Sequence, residues 1–146
     1  MTRIDFYVLQ KQNTREAQFQ FACRLVEKAV KQGNRVLIAT DDAAATQHVD
    51  QLLWSFKPES FIPHSADTGE HTGELNTESP VFITHREDDE KHHDVMVNLA
   101  LNLPPWFSRF QRVAEIVVQE DQVLAASRKN YAWYKERGYP LNTHKM

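Results

Sequence analysis

The sequence is poor in cysteine and glycine and has no long hydrophobic run. Cys23 is the only thiol among 146 residues, so a disulfide framework is excluded and a reducing, cytoplasmic compartment is expected. No stretch approaches the roughly 20 apolar residues of a membrane-spanning helix. Met1-Thr2-Arg3 leads into a short strand pattern rather than a signal-peptide core. An excess of positive charge is also missing. The formal net charge of −3 argues against a general nucleic-acid binder, whose phosphate affinity comes mainly from clustered Lys and Arg. What is there is an ordinary globular composition, 41% hydrophobic and 25% charged, in a length suited to one domain over 1–146.

The charge is unevenly placed. Of 17 basic and 20 acidic residues, five basic and one acidic fall between Arg128 and Met146, leaving 12 and 19 in the rest. An acidic body thus carries a basic C-terminal end, which can select an acidic partner without making the whole surface attractive to DNA.

Along the chain, Ile4 to Leu9 is rich in strand formers and reads as a first strand. Asn13-Thr14 caps a helix running to about Lys31, with Phe21, Leu25, Val26 and Ala29 at helical spacing and Gly33 as its left-handed stop. Arg35 to Ala39 is a buried strand of the parallel kind. Asp41-Asp42 caps a second helix through Val49, Leu52, Leu53 and Trp54, ended by Pro58. A very short strand over Ser60 to Pro63 is expected next, followed by a polar loop from Ser65 to Ser79. Val81 to Thr84, Val95 to Leu101 and Ala114 to Val118 read as strands. A charged loop runs from Arg86 to His93, and Pro104-Pro105 opens a short helix. The last helix starts at Glu120-Asp121, reaches Arg137 and stops at Gly138, and Pro140 to Met146 is a tail. Alternating strands and helices predict a single α/β domain with a mostly parallel sheet covered on both sides.

Such a sheet invites a nucleotide, and the first strand-to-helix turn tests the idea. Gln10 to Thr14 contains no glycine, and Thr40-Asp41-Asp42 in the second turn is acidic; both disfavour phosphate. His85, His92 and His93 lie near Glu87, Asp88, Asp89, Glu90 and Asp94, but at no spacing typical of a zinc site. Cys23, a turn from Phe19 and Val26, reads as a small buried core residue. No catalytic, metal or cofactor site is expected. A small metal- or nucleotide-dependent enzyme on the same fold is the alternative reading.

Two features point instead to protein partners. Trp54, Phe56 and Phe61 cluster around a proline-broken segment beside Lys57 and Glu59, which predicts a partly exposed aromatic patch suited to an interface. On the last helix, Leu124, Arg128, Tyr131 and Lys135 fall close together on a wheel of 3.6 residues per turn, while Val123, Ala126, Asn130 and Tyr134 lie towards the core side. Apolar surface joined to two cations suits a short peptide with an aromatic or apolar end and a carboxylate.

The segments FYVL, RVLIAT, LLWSF…ESFIPH and AEIVVQEDQ occur in this order, followed by the R-x-x-Y pair Arg128 and Tyr131 and the ending GYPLNT. Together they resemble the chi-subunit family of bacterial DNA polymerase III, accessory proteins of the replicative clamp loader. The resemblance implies a Rossmann-like fold without nucleotide binding and a non-catalytic adaptor. It implies two partners, the psi subunit and the acidic, phenylalanine-ended C-terminal tail of single-stranded DNA-binding protein. By motif match, Val117, Arg128 and Tyr131 would line the tail pocket, and Trp54 and Phe61 would face psi. Leu124 and Ala132 stand where relatives can carry lysines, which makes Lys129, Lys135 and Lys145 the candidates to restore positive charge.

Overall fold

A computed structural model describes residues 1–57, 61–67, 79–86 and 91–146. Its elements are β1 (Arg3–Val8), α1 (Arg15–Lys31), β2 (Val36–Ala39), α2 (Ala43–Ser55), β3 (His64–Ala66), β4 (Val81–Thr84), β5 (Val95–Asn98), β6 (Arg112–Val117), α3 (Asp121–Glu136) and β7 (Leu141–Lys145), with a 3₁₀ turn at Phe107–Arg109. The strands form one sheet in the order β3-β4-β2-β5-β6-β1-β7, and every pairing is parallel. This is a Rossmann-like α/β architecture.

Strand alternation sorts the core onto the two faces of the sheet. Val36 and Ile38, Val81 and Ile83, Val95 and Val97, and Ala114 and Ile116 pack beneath α1 and α2 with Cys23, Val26, Val49 and Leu53. Ile4, Phe6, Leu37, Phe82, Met96, Val113 and Val117 point the other way, beneath α3, Phe107 and Phe110. Because β2, β4 and β5 are buried on both faces, every residue in them is apolar or hydrogen-bonded, which explains their unbroken hydrophobic character.

Side chains fix the helix starts. Thr14 Oγ1 accepts from Ala17 N at 3.1 Å and Asp42 Oδ1 from Ala45 N at 2.8 Å. Glu120 accepts from Val123 N at 3.0 Å at the start of α3. Gly33 and Gly138 follow α1 and α3 at φ of 87° and 79°, the left-handed region where a side chain is strained.

Several expected boundaries move. Residues 61–63 form no strand; the short strand is His64–Ala66, paired with β4, and it takes Ser65 and Ala66 from the expected loop. Residues 58–60, 68–78 and 87–90, which held Pro58, Ser60 and parts of two expected loops, lie outside the described residues. The strand expected over Val95 to Leu101 ends at Asn98. After Pro104-Pro105 there is only one 3₁₀ turn. Phe107 and Phe110 both insert into the core there, and Phe110 is already extended (φ −90°, ψ 149°), so no helix can continue. The largest correction is at the C-terminus. The expected tail is strand β7, paired with β1 from Ile4↔Leu141 to Val8↔Lys145. Ile4 N donates to Pro140 O at 2.9 Å and Met146 N to Val8 O at 2.8 Å, closing the two ends of the ladder.

Candidate functional site

The chain's basic end folds into a surface at the carboxyl edge of the sheet, on the α3 face. Cross-strand register sets Val117, Val8 and Lys145 in one row, and Glu115, Phe6 and Thr143 in the row below. Leu141 packs on the α3 side of the sheet, so period-two alternation puts Thr143 and Lys145 on that side too. Val117, 6% exposed, forms part of an apolar floor with Phe6. Leu124 lies half-buried against the same cluster. Tyr131 is 37% exposed, and its ring meets Phe6 edge-on at a centroid distance of 5.2 Å. Arg128 and Lys135 are exposed on the same helix flank, about one turn either side of Tyr131.

Of the five residues expected for the peptide-binding stripe, Val117, Leu124 and Tyr131 meet one apolar floor, and Arg128 and Lys135 stand exposed on the helix flank beside it. Arg128, Lys135 and Lys145 make no ion pair with a described carboxylate. An apolar floor edged by uncommitted cations is suited to bind an apolar side chain together with one or more carboxylates.

A buried polar network fixes the helix that carries this flank. Tyr134 Oη donates to Glu115 Oε2 at 2.8 Å, and Asn98 Nδ2 donates to the two Glu115 oxygens at 3.0 and 3.2 Å. α3, β6 and β5 are thereby joined at one carboxylate. Burial pushes Glu115 up to about 7, against the lowering effect of its bonds to Tyr134 and Asn98. Burial, together with the neighbouring Glu115, also raises the Tyr134 phenol strongly, so it remains a donor. Tyr134 packs edge-on against Phe6 and Phe107, at 6.1 and 5.4 Å. The rotation of α3, and with it the direction of Arg128 and Tyr131, is therefore set from inside.

The second expected surface lies at the other end of the sheet. Trp54 is 56% and Phe61 69% exposed, with ring centroids 5.5 Å apart. His64 lies beneath, 4.7 Å from the Trp54 ring, its Nε2 held 3.0 Å from Asp50. Phe56, by contrast, is partly buried against the α1–α2 core. The pair forms a raised, supported aromatic patch of the kind that anchors protein interfaces.

Of the remaining residues considered for chemistry, Glu87, Asp88, Asp89 and Glu90 lie outside the described residues, and several of the others have structural partners. His92 is fully buried, hydrogen-bonded to Ser79 O at 2.8 Å and stacked on Phe82. Asp94 accepts from Arg35 N at 2.7 Å. Among the described residues no three His, Cys, Asp or Glu side chains group to hold a metal. Cys23 is buried in the core, and burial raises its thiol to about 12. At the strand ends of β2, β4 and β5, where such folds bind ligands, a crevice of about 230 Å³ has Asp41 and Arg86 in its walls. Arg86 is already bonded to Asp67, and Asp41 to Arg15. No described helix is long and apolar enough to cross a membrane.

The family described as DNA polymerase III chi subunit, HolC, matches residues 1–142 of this chain. The chain belongs to that family. It is 41% identical over 146 residues to DNA polymerase III subunit chi of Pseudomonas aeruginosa, an alignment covering all of this chain and 98% of the relative. With the subunit of the same name from Escherichia coli K12 it shares 29% identity over 148 residues, covering 98% and 97%. With that of Haemophilus influenzae it shares 25% over 142 residues, covering 97% and 95%. The alignment with the Pseudomonas aeruginosa subunit covers the whole chain, so it includes both surfaces and strand β7.

Proposed function

We propose that the protein is a non-catalytic adaptor of DNA polymerase III, acting in chromosome replication in the cytoplasm. It joins the clamp loader, through the psi subunit, to the acidic C-terminal tail of single-stranded DNA-binding protein. The observation that carries this reading is the α3 flank, where uncommitted Arg128, Lys135 and Lys145 border the floor of Val117, Phe6, Leu124 and Tyr131. A phenylalanine-ended acidic tail has the complementary parts. Its ring suits the floor, its terminal carboxylate suits Arg128, and its acidic residues suit the lysines. The Trp54–Phe61 patch, on a separate part of the fold, is the surface for psi. Two distant surfaces suit a linker that holds both partners at once.

The test is a titration of Arg128→Ala with a tail peptide at two salt concentrations, beside a psi pull-down. Loss of a hydrogen-bonded charge should cost roughly 1.5 to 3 kcal/mol, or about ten- to a hundredfold in affinity. Wild-type binding should weaken as salt rises, because the cations are exposed. Psi capture should be unchanged. Unaltered peptide affinity would remove Arg128 from the site, and loss of both partners would mean the surfaces are not separate.

A further inference from the structure

Helix α3 has a second exposed flank. Lys129 and Trp133, one turn apart, face away from Tyr131, and with Asn130 they wall a groove of about 330 Å³. Its other wall is the segment leading into the 3₁₀ turn, with Leu103 and Pro105, and the turn's first residue, Phe107. That volume lies within the range of built ligand pockets, about 300 to 1,000 Å³. Among the described residues no carboxylate lines the groove. Trp133 is held rigidly, edge-on to Phe107 at 5.6 Å and stacked on Tyr139 at 6.3 Å, with the Arg137 guanidinium 4.0 Å over its ring.

Asn130 is the unusual member. It is only 7% exposed, yet its carboxamide makes no hydrogen bond with any described residue. Its polar atoms are not sealed from solvent but line the groove, where a carboxamide offers both a donor and an acceptor. That pair complements the C=O and N–H of a peptide backbone. Lys129, next to it in sequence, is exposed and has no ion pair with a described residue. A free aromatic molecule would fill the apolar walls but leave both Asn130 and Lys129 without partners.

We propose that this groove is a second peptide-docking site. It takes an extended segment of a protein partner, with one apolar or aromatic side chain between Pro105, Phe107 and Trp133. The segment's backbone amide pairs with Asn130, and a flanking acidic residue meets Lys129. The site shares no residue with the Arg128 flank and needs no terminal carboxylate, so it stands apart from the function proposed above.

The probe is the amide-capped peptide acetyl-Asp-Asp-Phe-Asp-amide, titrated into the ¹⁵N-labelled full chain. The Asn130 side-chain amide and the Trp133 indole should show saturable shifts. Lys129→Glu and Asn130→Leu should each weaken binding by roughly tenfold, the loss of one charge-assisted or buried hydrogen bond. Arg128→Ala should leave the shifts of these two groups unchanged. Asn130→Leu replaces an unpartnered amide by an apolar group of similar size and should keep or raise the melting temperature. If it fails to fold, the exposed Lys129→Glu variant carries the test alone. No saturable shift at these two groups would overturn the proposal, as would equal binding of acetyl-Lys-Lys-Phe-Lys-amide. Loss of the shifts in Arg128→Ala would place the peptide on the other flank. Binding of phenylalaninamide as tight as that of the peptide would make the groove a small-molecule pocket. Either result refutes the proposal.

Discussion

Replacing Glu115 with glutamine should remove most of the pH dependence of folding stability between pH 5 and pH 8. In the folded protein this carboxyl is raised from its ordinary 4.5 to about 7 by burial. Between those values the native state holds a proton that the unfolded chain has released. Stability therefore falls as pH rises through this window and levels off above about 7. At about 1.4 kcal/mol per pH unit the interval corresponds to about 3 kcal/mol. For a chain of this size that is a fall of roughly 10 °C in melting temperature. Glutamine keeps the shape and an acceptor for Tyr134 but cannot ionise. The assay is urea unfolding, followed by tryptophan fluorescence, of wild type and Glu115→Gln at pH 5, 6, 7 and 8. Every other ionisable group is the same in both proteins, so the difference between the two curves isolates Glu115. The wild-type curve should fall towards the variant's, or below it, as pH rises. Parallel curves would show that Glu115 keeps one protonation state throughout and would refute the reasoning.

Three further outcomes are expected. Lys145→Glu should weaken tail-peptide binding about fivefold at low salt and much less at high salt, as for an exposed pair turned repulsive; unchanged calorimetric affinity at low salt would remove β7 from the site. Trp54→Ala and Phe61→Ala should leave urea stability within about 1 kcal/mol, since both rings are largely exposed, while costing about 2 kcal/mol or more in psi binding; unfolding of both variants would make the patch structural. Asp67→Ala should cost about 3 kcal/mol, because the buried carboxylate accepts from Thr84 Oγ1 at 2.8 Å and Arg86 Nε at 2.9 Å and the exposed part of Arg86 tempers the loss. A urea midpoint close to wild type would show that the carboxylate holds nothing.

What could be read in the sequence was what local pattern determines. The apolar runs of β2 and β4, the caps Thr14 and Asp42, and the stops at Gly33 and Gly138 all coincide with observed elements. So does the division of α3, whose Val123, Asn130 and Tyr134 are buried while Arg128 and Lys135 are exposed. Strand β7 could not be read, because LNTHK shows no apolar alternation. It is an edge strand held by its ladder to β1, with only Leu141 packed into the core. The short helix expected after Pro104 does not form: proline favours a first turn, but two core phenylalanines three residues apart allow only a tight one. The Glu115–Asn98–Tyr134 network joins three separate elements and leaves no local trace. Asn130 falls on the core side of the helical wheel, but that its carboxamide lines a groove appears only once the 102–107 segment is in position.

Register across the sheet also bears on where positive charge meets the floor. Leu124 packs against the Phe6 cluster, so that position contributes apolar floor and not charge. The pairing of β7 with β1 brings Lys145 level with Val8 and Val117, across the floor from the helix. On the proposed reading, a ligand's carboxylates are then met from two sides, by Arg128 and Lys135 on α3 and by Lys145 on β7. Cations on opposite walls constrain a bound chain's direction more than a single helical row does, because each fixes a different carboxylate. Exchanging Leu124 for lysine should therefore raise affinity for an acidic peptide at low salt. It should also loosen the preference for an apolar terminal residue, since part of the floor is lost. Titrating Leu124→Lys with Phe-ended and Ala-ended tail peptides compares the two effects. Higher affinity with undiminished preference for phenylalanine would show that Leu124 is not part of the floor.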